Sequence, residues 1–158
     1  MPKVDLTSIA PRTGTVYPAA FHAEMAGRSS LRFSDAAGLT QFGANITILQ
    51  PGAKSSLRHW HETQDELVLV ISGTATLLDD TGETLLHAGE CAAFPAGDGN
   101  GHCLRNDTDQ ELRFLAVGAR TETEIAHYSD LDMTAHIRDR DIRFTHKDGT
   151  PYGERRDE

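Results

Sequence analysis

Residues 52–73 read GAKSSLRHWHETQDELVLVISG. His59 and His61 stand two apart, so on a strand both imidazoles project to one face while Arg58 and Trp60 project to the other. Glu66 opens the apolar run that follows, where a carboxylate is costly to bury unless something cationic meets it. Residues 89–106 read GECAAFPAGDGNGHCLRN, and there His102 starts another strand directly after a glycine-rich loop. Any one of these residues alone has an ordinary reading, as a surface histidine or an exposed carboxylate. Taken together they are a donor set of three nitrogens and one oxygen, which suits Zn, Fe, Mn, Ni or Co and does not choose among them.

Outward from these stretches the chain keeps an all-β rhythm, with short β-branched and aliphatic runs divided by Gly, Asp, Asn and Pro. The pattern predicts strands at 44–50, 57–61, 66–71, 74–78, 84–86, 91–95, 102–106, 112–118 and 124–128. Many short strands with tight turns imply a sandwich or a barrel. Ser72-Gly73 and the segment 79–82 (DDTG) both read as hairpin turns. The runs ELVLVI (66–71) and LRFLAV (112–117) are apolar at nearly every position, which calls for cover on both faces. A second copy of the chain, or the chain's own terminal arms, would supply the outer cover; a homodimer is the expectation.

The organisation expected is an N-terminal arm at 1–43, a barrel at 44–128 and a charged tail at 129–158. The stretch from Arg12 to Pro18 reads as an extended arm able to add an edge strand. From Asp130 onward 14 of 29 residues are charged, 8 acidic and 6 basic, which predicts a solvated, partly mobile tail. The 158 residues fit one domain, and 24 acidic against 15 basic side chains leave a formal charge of -9. Such a field disfavours nucleic acid as a partner. With no signal-like or membrane-length apolar run, the expectation is a cytoplasmic protein without a membrane partner. Cys91 and Cys103 read as buried free thiols, and Asp65 as a competitor of Glu66. His22, His87, His127, His136 and His146 have no partners in register and read as ordinary.

The two quoted stretches resemble the paired motifs of the cupin superfamily. The first has a glycine, H-x-H, four residues, E, six residues and G; the second has a glycine, five residues, P-x-G, a loop, H, three residues and N. The match spans about residues 44–118. It departs from the family in two loops, where six residues separate Gly52 from His59 and four separate Gly97 from His102. The resemblance implies a double-stranded β-helix, or jelly-roll barrel. It also implies that His59, His61, Glu66 and His102 ligate one divalent ion per chain (Zn, Mn, Fe or Ni), with Gly73, Pro95 and Gly97 shaping turns.

Three neutral imidazoles and one carboxylate on a divalent ion leave about +1 of formal charge, suited to a small anionic or oxygen-rich substrate. Three functions fit: Lewis-acid isomerisation of a sugar or sugar phosphate, which some bacterial relatives are described as performing; a metal-dependent dioxygenase; and a non-catalytic binding or sensing module. Isomerisation also needs a base, and the sequence names none. Zinc would exclude the oxygenase, because it has no redox chemistry.

Overall fold

The structure is a computed structural model and describes residues 3–153. Its strands are β1 (Arg28–Leu31), β2 (Phe42–Leu49), β3 (His59–His61), β4 (Glu66–Ser72), β5 (Thr74–Asp79) and β6 (Gly82–His87). They continue with β7 (Cys91–Phe94), β8 (Cys103–Arg105), β9 (Leu112–Ala119), β10 (Thr123–Tyr128), β11 (Thr134–Arg138) and β12 (Asp141–Thr145). A four-residue helix, Phe33–Ala36, and three short 3-10 turns lie in the first forty residues. Among the described residues no helix is long and apolar enough to cross a membrane.

The strands form three antiparallel sheets, ordered β1-β2-β9-β4-β7, β12-β11-β10-β3 and β6-β5-β8. This is the jelly-roll arrangement that the family resemblance implies. Alternation along β4 decides what lies inside: Val68 and Val70 are 1% exposed, whereas Leu67 and Ile71 on the opposite face are 40% and 47% exposed. The inner residues join Leu49, Leu77, Phe94, Leu104, Leu112 and Phe114 in the main core. At roughly 1.5–3 kcal/mol for each large apolar side chain withdrawn from water, this core dominates the folding energy. The chain's own arms leave the outer face of β4 partly uncovered.

Three sequence expectations need correction. Ser72-Gly73 is not a hairpin, because β4 and β5 lie in different sheets. The chain instead switches sheets at Gly73, which has φ +83 and where a Cβ would lie 2.8 Å from the Glu111 carbonyl oxygen. The segment 79–82 does form a hairpin, with Asp79 opposite Gly82 and the Thr81 amide donating to Asp79 Oδ1.

The second correction concerns the tail. Residues 134–145 are β11 and β12, a hairpin that extends the sheet of β10 and β3. Met133 and Ala135 are buried there with Phe21, Leu57, Ala126 and Tyr128 in a second core. Of the terminal GERRDE, residues 154–158 lie outside the described ones. The third is that Cys91 is exposed; Cys103 is buried, and both thiols are free.

Candidate metal centre

β3 carries two of the four predicted ligands. It pairs with β10, setting His61 opposite Ala126 and His59 opposite Tyr128. His59 and His61 project to the same inner face, and their Nε2 atoms stand 3.2 Å apart. Trp60 points the other way and stacks on His127 at 4.3 Å, as strand alternation requires.

Glu66, at the first residue of β4, sends Oε2 to within 3.6 Å of His61 Nε2. His59, His61 and Glu66 thus form a group able to hold a metal ion, with one ligand atom from each inside a 4.8 Å cluster. His102 lies outside that three-residue group but beside it: a two-way backbone bridge ties it to His59, and its Nε2 lies 3.1 Å from Glu66 Oε2. Its ring is stacked on Phe94 with centroids 3.5 Å apart, which fixes its plane.

The protonation pattern suits a cation. His59 Nδ1 lies 2.8 Å from the Leu57 carbonyl oxygen, which can only accept, so Nδ1 carries the proton and Nε2 presents its lone pair. Burial, reinforced by the neighbouring His61, pushes the His59 imidazole down to about 4, so it is neutral near pH 7. Burial opposes ionisation of Glu66, but the His102 and His61 imidazoles beside it outweigh it and hold the carboxyl well below its usual range. A neutral His59 and an ionised Glu66 are the protonation states in which these two groups coordinate metals.

Other predicted neighbours are engaged elsewhere. Asp65 Oδ1 accepts from the Ala96 amide at 2.8 Å. Arg58 is held by Asp80 and Asp130, while Cys103 and Arg105 flank the ligand strand without joining the cluster. His127 pairs with Glu62, His146 with Asp132 and His136 with Thr145, while His22 meets the Tyr17 carbonyl and His87 meets Thr74.

Two features escaped the sequence reading. Glu124, on β10, has a fully buried side chain whose carboxylate accepts from the Glu62 and Thr63 amides at 2.7 and 3.0 Å and from the Thr63 hydroxyl. Its Oε1 lies 3.7 Å from His61 Nδ1, the ring nitrogen other than the one that approaches Glu66. The alternation of Glu124, Ala126 and Tyr128, all buried, was the available signal. The second is a cavity of about 520 Å³, within the usual range for small-ligand sites, whose wall includes the four predicted ligands and three arginines.

Known proteins share this fold. The cupin-domain family pattern matches residues 45–118. A crystal structure described as a sugar phosphate isomerase from a cupin superfamily, from Silicibacter pomeroyi DSS-3, is 55% identical over 96% of this chain and 97% of that one, with a TM-score of 0.93. The chain belongs to the cupin superfamily. At the level of fold alone, this cupin is also similar to a candidate sugar phosphate isomerase from Acidithiobacillus ferrooxidans (21% identity, 91% of each chain, TM-score 0.76). It likewise resembles the polyketide cyclase RemF from Streptomyces resistomycificus (20% identity, 75% of this cupin and 79% of that chain, TM-score 0.63). No curated protein sequence matches this cupin.

Proposed function

We propose that this cupin is a metal-dependent enzyme that isomerises a small sugar or sugar phosphate. The observation that carries the reading is the convergence of His59, His61, Glu66 and His102 on one wall of a cavity sized for a small molecule. The likeness to the Silicibacter pomeroyi protein supports the reaction class. On this reading the four side chains hold one divalent ion, which supplies Lewis-acid polarisation of a carbonyl or hydroxyl oxygen. The protein's own part is to keep His59 neutral by burial, to turn its Nε2 inward by holding Nδ1 on the Leu57 carbonyl, to keep Glu66 ionised, and to enclose the substrate away from bulk water.

The test is interconversion of aldose and ketose phosphates by protein reconstituted separately with Zn, Mn, Fe and Ni. Turnover with at least one metal, reduced 100-fold or more in His61→Ala, is expected. No turnover of any phosphorylated aldose or ketose with any metal would remove the reading. Oxygen consumption coupled to substrate loss would replace it with dioxygenase chemistry.

We also read the exposed Leu67 and Ile71 face of β4 as the contact between two copies of the chain. Sedimentation is expected at the dimer mass, with Leu67→Asp shifting it to the monomer. A wild-type protein that sediments as a monomer at micromolar concentration contradicts the dimer.

A further inference from the structure

The cavity that holds the histidine cluster also has a basic wall. In the sequence RSSLR, residues 28–32, positions 28, 30 and 32 alternate onto one face of β1 and its continuation. Arg12 sits directly across from Ser30, joined by reciprocal backbone hydrogen bonds of 2.9 Å, and opposite residues of an antiparallel pair share a face. Arg12, Arg28 and Arg32 accordingly all line the cavity, together with Ser30 and, from β2, Thr47 and Asn45.

This wall is costly as it stands. The chain has 24 carboxylates, yet among the described residues none forms an ion pair with Arg12, Arg28 or Arg32. The nearby Asp35 is engaged by Arg120. Arg28 Nε and Asn45 Oδ1 are both buried without a hydrogen-bond partner. Burial pulls the Arg28 guanidinium below its usual value, and burial followed by repulsion from Arg12 does the same to Arg32. Guanidiniums nevertheless stay charged at neutral pH, so mutual repulsion and desolvation remain unless an anion enters. Forked N–H donors on a planar cation match a phosphate's oxygens, and the serine, threonine and asparagine beside them can complete its shell.

We propose that Arg12, Arg28 and Arg32 form a phosphate subsite, which seats the phosphate of a phosphorylated sugar and turns the rest of the molecule toward His59, His61, Glu66 and His102. The assignment of the sugar rests on the isomerase reading; the anion site does not. On this basis the N-terminal arm is part of the site, since Arg12 reaches the cavity only through its pairing with Ser30.

The test is calorimetric titration of the full chain with inorganic phosphate, in low salt, after the metal has been stripped with chelator and again after reloading. One phosphate per chain is expected in both states, bound at least tenfold more weakly by Arg28→Gln. Arg28 is largely buried, so Arg12→Gln, on the exposed arm, is the companion variant; it should also bind phosphate more weakly while retaining the wild-type circular dichroism spectrum and metal content. No phosphate binding by the wild type, equal affinity in both variants, or binding only when metal is present would each overturn the subsite. Arginine-dependent phosphate binding without turnover of any phosphorylated sugar upholds the subsite and removes the isomerase reading instead.

Discussion

Glu124 holds more of the centre than its distance in sequence suggests. Its carboxylate fixes the 62–63 turn through two amides and a hydroxyl, and that turn leads directly out of the strand carrying His61. A buried carboxylate behind His61 Nδ1 also favours the tautomer whose Nε2 is free to meet the proposed metal. Glu124→Gln is therefore expected to keep the fold and to weaken metal binding by about 10- to 100-fold, the usual effect of removing such a support. Competition with a chromogenic chelator measures this, and an unchanged affinity would show that Glu124 serves the turn alone. His59, His61 and Glu66 were legible because a strand's period of two puts H-x-H on one face and the carboxylate opens the next strand. Glu124 was not, because its partners lie 61 to 63 residues earlier and only the barrel's closure brings them together.

Among the elements, the β11–β12 hairpin departs furthest from what the sequence suggests. Its turn is Asp139-Arg140, both residues with positive φ (49 and 71), in a two-residue loop that normally carries Asn-Gly or Asp-Gly. Without that signal, and with charges along the outward face, the segment reads as a solvated tail. Its alternate positions nevertheless bury Met133 and Ala135 beside Tyr128, the strand neighbour of His59. Truncation after Asp130 strips these contacts from β10, which supports β3 from behind. The truncated chain is expected to lose cooperative thermal unfolding and stoichiometric metal together. Wild-type melting with metal retained would mean that the hairpin is dispensable to the centre.

For the molecule as a whole, the order of motifs along the chain is what builds the site. β3, β4 and the loop before β8 come from three different sheets, and the jelly roll folds them onto one cavity wall. Further lining comes from β1 and the arm, added to the edge of the largest sheet. The first half of that construction was readable, since the two glycine-bounded motifs specify both fold and candidate ligands. The second half was hidden because arginines in an arm look like ordinary surface charge until the pairing of Arg12 with Ser30 turns them inward. A chain with net charge -9 thus has a cavity lined by both histidines and guanidiniums.

The most direct test of this account is elemental analysis by inductively coupled plasma mass spectrometry on untagged protein, purified without chelator or nickel resin, alongside His59→Ala. About one divalent transition metal per chain in the wild type is the predicted result, with loss of that metal in a variant that keeps its β-sheet circular dichroism. A wild type that holds no metal after reconstitution with Zn, Mn, Fe and Ni in turn, or a His59→Ala protein that retains it in full, would contradict the central claim.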